Sequence, residues 1–432
     1  MNNLIKNIFN SRIEKKFFDW YYKTFSIKEI ENSTSLIWVW GTLLLSYFVS
    51  FSAWAIHPTA MTKMGVITGN YSCWDYYQSC GQWHIFDALP LGYSQTTFYM
   101  GIFGILVLIV VLLKKREYIL AHIFTSILFL WHFLNLFILT SAFVGNYEYF
   151  VFVFGLVFLF IPHKEWFLKL SLVLFYFLAS TLKLNDGWIL GTYFTSMFTG
   201  APLIPDWFVP IATNLTILAQ MVFAWFIFSK NKILRNIMVA YFLFFHLYSG
   251  ILVGYKYPSV VVPIFVVLYI LYYRWQKPPV DKKSIIGWSL MLILFVIQFI
   301  KIWIPGDVRM TMEGNKYGLY MFEANHQCVS TIEIEDKDGK KIKMKAKSES
   351  ARSRCDPYKY WWKLKKQYCI KPEIKKIAWT FDHSINGGPF YRIVDVPNVC
   401  DLKYKVGEHN EWIKLEKDKP KIVGYPYKNW YK

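Results

Sequence analysis

A lysine stands at the end of a long apolar run, in the segment Tyr176–Trp188. Lys183 is followed at once by polar residues and then by Trp188. An ionisable group at membrane depth is energetically expensive, so it is by default a candidate for function. A partly desolvated amine also loses its proton more readily, which would make Lys183 a possible base near neutral pH. The alternative is that Lys183 extends to the membrane surface, with Trp188 in the aromatic belt.

The elements that position this lysine are predicted to be membrane helices. The chain is 55% hydrophobic and 20% aromatic, and its apolar runs are confined to about the first 300 residues. Such runs are long enough to cross a bilayer. We predict a mainly α-helical polytopic membrane domain over residues 1–304, with about nine spans. They lie near residues 35–56, 93–113, 118–142, 148–162, 167–184, 208–229, 236–255, 259–273 and 284–304.

The distribution of basic residues predicts the orientation of these spans. Lysines and arginines cluster before the first span and after the second, fourth, sixth and eighth. Basic loops are retained in the cytoplasm, so the N-terminus is predicted to be cytoplasmic. The N-terminus shows no short apolar stretch with a cleavage site, so we expect no removed signal peptide and take the first span as the insertion signal. An odd number of spans then places Lys183 and residues 305–432 on the lumenal, periplasmic or extracellular side.

Residues 305–432 are predicted to form a small β-rich domain. The stretch 329–335 alternates in hydrophobicity, Asp338-Gly339 provides a turn, and 340–346 alternates again. A second pair of strands is predicted at 377–381 and 391–395, and a helical insertion near 358–368. We find no nucleophile elbow, phosphate loop or HExxH motif there, so this domain is predicted to bind a substrate or brace the membrane domain.

Cysteines and charge limit the remaining possibilities. All six cysteines fall on the predicted non-cytoplasmic side, which favours disulfides and leaves the pairing open. None has the Cys-x-x-Cys spacing of a zinc site, so we expect no metal. The net charge of +19 is explained largely by topology, so we expect no nucleic-acid partner. The lysine-rich runs of the tail are expected to be a solvated face, or else a patch for acidic peptide or lipid headgroups.

Four segments carry a family resemblance. They are Cys80–Leu91, Tyr176–Trp188, Gly314–Tyr320 and Ser384–Asp395. In this order they resemble the vitamin K-dependent gamma-glutamyl carboxylase family and the wider group that shares its transmembrane domain. The second segment is similar to the family's Tyr-Phe-x-Ala-Gly-x-Lys-Lys-Leu-Asp-x-Asp-Trp. Lys183 matches the second lysine of that motif, while Leu182 replaces the first.

The resemblance implies roles for several residues. Lys183 would be the base that deprotonates reduced vitamin K, and oxygen and carbon dioxide would be co-substrates. Tyr320, with Leu319 beside it, matches a region implicated in the vitamin and glutamate sites, and Trp188 completes the lysine motif. The resemblance also implies a disulfide between Cys80 and Cys369, which would hold the C-terminal domain over the membrane site.

One departure concerns carboxylation itself. The family carries Asn-Asn-His where this chain has Gly145-Asn146-Tyr147, so Asn146 is kept and Tyr147 stands at the histidine position. His246 lies where the carboxylases have a Phe-His pair, and it would either line the site or bond a neighbouring helix. His122 and His132 could replace the missing histidine, although packing is the commoner role for such residues. Quinol binding and base chemistry are therefore expected, and carboxylation is left open.

The sequence thus predicts an integral membrane enzyme that uses reduced vitamin K or a related quinol, oxygen and carbon dioxide to carboxylate glutamate in a secreted or membrane peptide. Two alternatives remain. The chain could be a quinol epoxidase or a factor that modifies a secreted peptide without carboxylating it. It could also be a non-catalytic membrane scaffold whose C-terminal domain binds a partner.

Overall fold

The fold is known from a computed structural model, which describes residues 12–56, 73–80, 94–138, 146–197, 199–320, 323–347, 355–415 and 421–424. Helices occupy most of the first 304 residues, and an antiparallel sheet follows. In chain order, the first helices of the described residues are α1 (Arg12–Thr24), α2 (Ile27–Glu31), α3 (Thr34–Ile56), α4 (Ser94–Lys114), α5 (Tyr118–Ile138), α6 (Asn146–Phe160) and α7 (Lys164–Thr181).

The described helices that follow α7 are four to 22 residues long. They are α8 (Asp186–Ile189), α9 (Thr192–Thr195), α10 (Val209–Met221), α11 (Lys232–Val253), α12 (Pro258–Val266), α13 (Ser284–Phe299), α14 (Val308–Thr311) and α15 (Pro357–Leu364). A 3-10 segment, Phe223–Phe228, joins α10 to α11, and a π-helical turn, Val267–Leu271, continues α12.

Five helices of the described residues are long and apolar enough to cross a membrane. They are Thr34–Ile56, Gln95–Lys114, Tyr118–Ile138, Lys232–Leu252 and Ser284–Trp303. The apolar helices Asn146–Phe160 and Pro258–Leu271 are shorter. The structure therefore confirms a helical region suited to a membrane, whereas nine spans and the orientation remain predictions.

Helix α7 lies at the centre of the helical region. Nearly all of its 18 residues are buried, and it packs against α6, α10 and α13. Because the helix is enclosed on all sides, residues 170–179 are apolar apart from Ser171 and Tyr176. The central position matters because Lys183 follows two residues after this helix ends.

The C-terminal sheet has five antiparallel strands in the order β2-β1-β3-β4-β5. They are β1 (His326–Asp336), β2 (Lys341–Lys347), β3 (Ile374–Ile385), β4 (Phe390–Val396) and β5 (Ile422–Gly424). The four strands predicted from alternation are confirmed, and so is the turn at Asp338-Gly339, where Gly339 has a φ of +80°. The predicted insertion is also helical, since α15 and the π-helical turn Lys365–Cys369 lie between β2 and β3.

The segment that precedes the sheet is bonded to the last membrane-length helix through the side chain of Gln298. The amide of buried Gln298, in α13, donates to the carbonyl oxygen of Leu319 at 2.7 Å and accepts from the Leu319 N–H at 2.7 Å. A Cβ on Gly318 would lie only 2.6 Å from the Gln298 amide oxygen, and Gly318 has a φ of +79°. The chain therefore enters the C-terminal region in a fixed direction.

The predicted disulfide between Cys80 and Cys369 is not formed. Cys80 pairs with Cys73, and Cys369 pairs with Cys400, with Cα–Cα distances of 5.9 and 5.5 Å. The third disulfide joins Cys328 to Cys355. Each bridge closes a local loop, because the partner of each cysteine lies within 31 residues along the chain.

Hydrogen bonds take the place of the expected covalent tether. The Tyr76 hydroxyl donates to the Tyr317 hydroxyl at 3.1 Å. The Gln78 side chain donates to the Tyr404 carbonyl at 3.1 Å. The loop closed by Cys73 and Cys80 therefore contacts the C-terminal region without a disulfide to it.

We predict that non-reducing peptide mapping of the purified chain will recover the linked pairs Cys73–Cys80, Cys328–Cys355 and Cys369–Cys400. The reason is that the Cα–Cα distance within each pair, 5.5–5.9 Å, suits a disulfide. A tryptic fragment that links Cys80 to Cys369 would contradict this arrangement. Mass spectrometry before and after reduction distinguishes the two results.

Candidate functional site

Lys183 lies in a tight turn at the end of α7. Its N–H donates to the Ser180 carbonyl at 2.9 Å, and its Nζ donates to the Ala179 carbonyl at 2.8 Å. The same Nζ lies 5.2 Å from the centroid of the Trp188 ring. Lys183 is only 2% exposed, so it does not extend to the surface. The alternative explanation from sequence, a lysine reaching for water, does not fit this geometry.

Asn185 explains why Trp188 lies beside the amine. Its side-chain oxygen accepts from the Trp188 N–H at 3.3 Å and so caps α8. Its side-chain nitrogen donates to the Leu182 carbonyl at 2.8 Å and to the Glu323 carbonyl at 3.2 Å. The polar residues after Lys183 therefore fold the chain back over the amine and join it to the C-terminal region.

The Lys183 amine faces a cavity of about 640 Å³. This volume is within the range of small-molecule sites, roughly 300–1,000 Å³. The cavity lies among α7, the α8–α9 turn, α10, α11 and the start of α12, and most of its wall is apolar. Aromatic rings dominate that wall, among them Phe175, Tyr176, Trp188, Tyr193, Phe194, Tyr241, Phe244, Phe245, Tyr248 and Tyr257.

A few polar atoms interrupt the apolar wall. His246 is fully buried, and its Nε2 is 2.6 Å from the Tyr176 hydroxyl. The His246 Nδ1, the Tyr257 hydroxyl and the Gln220 side-chain oxygen are buried and have no hydrogen-bond partner among the described residues. Buried polar atoms are almost always satisfied in native proteins. Three such atoms around one cavity therefore indicate a polar ligand or ordered water there.

The cavity opens toward the surface that would face lipid. Leu215 in α10, and Phe244, Leu247 and Ile251 in α11, line the cavity and are each more than half exposed. Both helices pack against the 3-10 segment that joins them, and the gap between them is lined by these side chains. An apolar molecule could therefore enter between α10 and α11 from within a bilayer.

The structure brings together four of the residues singled out from sequence. Lys183, Trp188, His246 and Asn146 all line this one cavity, although they come from separate segments of the chain. Sequence reasoning missed the wall residues Tyr176, Gln220 and Tyr257. For Gln220 a signal existed, because an amide inside an apolar segment is unusual.

Three other predicted site residues do not line the cavity. The Tyr147 hydroxyl donates to the Ser46 carbonyl at 2.9 Å, and the Lys256 Nζ lies 4.4 Å from its ring centroid. Leu319 is held by Gln298, and the Tyr320 hydroxyl donates to the Val308 carbonyl at 3.0 Å. The contacts of these residues are those of packing and anchoring groups.

A second buried polar cluster lies beside Tyr147 and was not predicted. The Glu148 carboxylate accepts from Ser50 Oγ at 2.9 Å, lies 2.9 Å from His132 Nε2, and accepts from Lys256 Nζ at 3.3 Å. His132 is fully buried, while the Lys256 side chain is 49% exposed. The signal in the sequence was an acidic residue at the start of an apolar run.

His122, the other histidine of α5, has a packing role. Its Nδ1 is 2.8 Å from the Tyr21 hydroxyl, and its Nε2 is 3.1 Å from the Leu159 carbonyl oxygen. It therefore joins α1 to the end of α6, away from the cavity described above.

Comparison with known proteins gives no further guidance, since no family model, no curated protein and no solved structure matches this chain. The geometry of the site itself must therefore support any functional assignment.

The burial of Lys183 leads to a prediction about stability. We expect Lys183→Met to leave the fold at least as stable, because it replaces a buried amine that makes a single hydrogen bond with an apolar group. The matched change is Lys164→Met. Lys164 is also buried, but its Nζ donates to the Leu159 and Ile161 carbonyls at 3.1 and 3.4 Å and so caps α6.

We expect Lys164→Met to lower the free energy of unfolding by about 1.5–3 kcal/mol, the loss typical of hydrogen bonds from a charged donor. Thermal unfolding of both variants in the same detergent measures the difference. If Lys183→Met were the more destabilising change, Lys183 would be a structural residue.

Proposed function

We propose that this chain is an integral membrane enzyme that binds a reduced, vitamin K-like quinone and uses Lys183 as the base that removes a quinol proton. One observation carries the proposal. The Lys183 amine and the His246 Nδ1 face the same aromatic cavity, which opens between α10 and α11. A planar, lipid-soluble diol with two polar ends suits such a cavity.

Lys183 would accept the proton through its Nζ lone pair. Desolvation favours the uncharged form of an amine, which is the form a base requires. After proton transfer, the resulting ammonium would keep its hydrogen bond to the Ala179 carbonyl and its position over the Trp188 ring. A cation over an aromatic face gains about 0.5–2 kcal/mol, so Trp188 would lower the energy of the protonated state.

His246 would orient the ligand. Its Nε2 is engaged by the Tyr176 hydroxyl, which fixes the ring and directs Nδ1 toward the cavity. A hydrogen bond from Nδ1 to one oxygen of the ring would leave the opposite oxygen free to approach Lys183. The aromatic wall would hold the plane of the ring by stacking.

The full reaction would follow the chemistry of the family that the sequence resembles. The quinol and oxygen would give the quinone epoxide and water, while a peptide glutamate would lose a γ-proton and bond to carbon dioxide. The position of Lys183 supports this arrangement, since the turn that carries it contacts both the helical region and Glu323 of the C-terminal region. A lipid-soluble and a water-soluble substrate could meet at such a boundary.

A specific observation favours a second candidate, quinol oxidation without carboxylation. Tyr147 stands where the family has its histidine, and its hydroxyl is bonded to the Ser46 carbonyl away from the cavity. The group that the resemblance assigns to carboxylation would then lack a counterpart at that position. Lys183 keeps the same role in both candidates, whereas a non-catalytic scaffold gives no reason for a buried amine facing a cavity.

The assay for this proposal measures turnover of a reduced vitamin K in proteoliposomes that contain the chain. We expect Lys183→Ala to reduce quinol turnover about 100-fold or more, which is the usual contribution of a general base. The control is Lys114→Ala, which removes an exposed lysine at the end of α4. Turnover that survives Lys183→Ala would rule out both enzymatic candidates that use this base.

The same preparation separates the two candidates. A glutamate-containing peptide is added with labelled carbon dioxide, with and without the reduced quinone, and its mass is measured. Uptake that depends on the quinol supports carboxylation, while epoxide formation without uptake supports quinol oxidation alone.

The opening between α10 and α11 makes a further prediction. Leu247→Trp would narrow the opening, so we expect the KM for a quinol with a long isoprenoid tail to rise about 10-fold or more with little change in kcat. A short-tailed quinol should be affected less. Ile237→Trp is the matched control, because Ile237 is equally exposed on α11 but does not line the cavity. Equal effects of the two variants would contradict entry at this opening.

A further inference from the structure

The turn after Lys183 is held by hydrogen bonds from the C-terminal region. The Glu323 carbonyl accepts from Asn185 at 3.2 Å, and the Asn325 side chain donates to Ser196 Oγ at 3.0 Å. Asn325 is itself paired with Asn386, by an N–H donated to the Asn386 side chain and a carbonyl that accepts the Asn386 N–H, both at 2.9 Å. Residues 323–325 therefore support the segment that follows Lys183 through hydrogen bonds.

A buried hydrogen-bonded row of three titratable side chains lies directly beside residues 323–325. The Glu323 carboxylate is 3.1 Å from His326 Nε2, and His326 Nδ1 is 3.1 Å from His383 Nε2. His383 Nδ1 is 2.8 Å from the Met310 carbonyl oxygen. All three titratable residues are at most 3% exposed.

Hydrogen-bond geometry fixes the protons in this row. A carbonyl oxygen can only accept, so His383 Nδ1 carries a proton and donates it to Met310. Neutral His383 then accepts at Nε2, which requires His326 Nδ1 to be the donor. The bond between His326 Nε2 and Glu323 consequently needs one more proton, which resides either on the imidazole or on the carboxyl group.

The pair Glu323–His326 therefore holds a single shared proton in a buried site. If the proton is lost, a carboxylate faces the lone pair of a neutral imidazole, and the bond becomes a repulsion. His383 itself stays neutral over most of the pH range, because burial and the neighbouring His326 lower its pKa to about 3.

We propose that Glu323, His326 and His383 are positioning residues for Lys183. The shared proton keeps residues 323–325 in the conformation that forms hydrogen bonds to Asn185 and Ser196. The effect of the shared proton on the order of the segment after Lys183 does not depend on what Lys183 does. The part that concerns turnover rests on the proposed function of Lys183.

The sign of the pH dependence follows from the proton count. Removal of the shared proton turns the bond between Glu323 and His326 into a repulsion, so the order of the turn is lost once the pH is high enough to remove that proton. On the acid side His383 is held neutral while its unfolded form protonates below 6.5, so stability falls between 6.5 and about 3. The other charged groups near this row are Lys301, which interacts electrostatically with Glu323, and Arg309, which interacts with Asp307 and Asp186.

The experiment measures hydrogen exchange of residues 183–196 in the full chain, as a function of pH and corrected for intrinsic exchange rates. In the unaltered chain we expect strong protection near neutral pH and a loss of roughly 10- to 100-fold on the alkaline side, as expected for a hydrogen bond to a charged group. Glu323→Gln is the decisive variant. Its amide can donate to neutral His326 Nε2, so the bond persists without a titrating proton.

We therefore expect Glu323→Gln to retain protection near neutral pH and to lose the alkaline decline. His326→Leu, which breaks the row, should weaken protection at every pH. The matched control is Glu313→Gln, since Glu313 is a buried carboxylate 2.8 Å from His409 Nδ1 in the same region. An alkaline decline that is unchanged in Glu323→Gln, or is abolished equally by Glu313→Gln, would overturn the proposal.

Quinol turnover gives a separate readout. A positioning role predicts that Glu323→Gln shifts the alkaline limb of the pH profile of kcat while leaving KM nearly constant. If Lys183→Ala leaves turnover intact but exchange still depends on Glu323, the proposed function fails and the structural part of the inference survives. The two failures are therefore distinguishable.

Discussion

The burial of one amine in an apolar wall constrains the rest of this fold. A lysine without water is stable only where the protein supplies a hydrogen-bond acceptor and a polarisable surface. Here the acceptor is the Ala179 carbonyl, left unpaired by the end of α7, and the surface is the ring of Trp188. Both are present only because the chain turns sharply at Leu182–Asn185 and returns over the amine.

The conformation of the turn at Leu182–Asn185 depends on the C-terminal region. Asn185 directs one bond inward, to the Leu182 carbonyl, and another outward, to the Glu323 carbonyl. Gly187 is required at the contact, because a Cβ there would lie 2.2 Å from the Asn386 side-chain nitrogen. The β3–β4 turn and the start of α8 therefore fit against each other, and the sheet supports the segment that follows Lys183. This non-covalent contact joins the C-terminal region to the lysine site, a role that the sequence had assigned to a Cys80–Cys369 disulfide.

Periodicity predicted the strands and the long helices, and the lysine motif contains two residues, Lys183 and Trp188, that line one cavity. The apolar run of α7 indicates burial, and Lys183, Trp188, Asn146 and His246, all candidates from sequence, line one cavity. Tyr147 and Tyr320 were assigned by correspondence with a motif, and a motif carries no information on which way a side chain points. Cysteine pairing failed for the same reason, because pairing depends on the path of the chain between the cysteines.

Residues such as Glu148 and His326 could not be assigned from sequence, since their roles come from partners far along the chain. His132 and Glu148 meet only because α5 and α6 are adjacent, and His326 meets His383 only in the register of β1 with β3. Hydrogen-bond networks of this kind depend on tertiary structure, whereas apolar periodicity is local. This explains why the architecture was more accessible than the polar part of the site.

The buried ionisable groups are distributed unevenly, and the unevenness fits the proposed chemistry. At the far end of α7, Lys164 and Lys169 are buried, but they cap carbonyls or pair with Glu165, and those contacts satisfy them. Just beyond the other end of α7, Lys183 faces a cavity with unfilled hydrogen-bonding capacity, and His246 of α11 faces the same cavity. The satisfied lysines and the lysine that faces the cavity thus lie at opposite ends of α7. A reaction that moves protons between a lipid-soluble and a water-soluble molecule needs its acid–base groups at that boundary and a stable bundle beneath them.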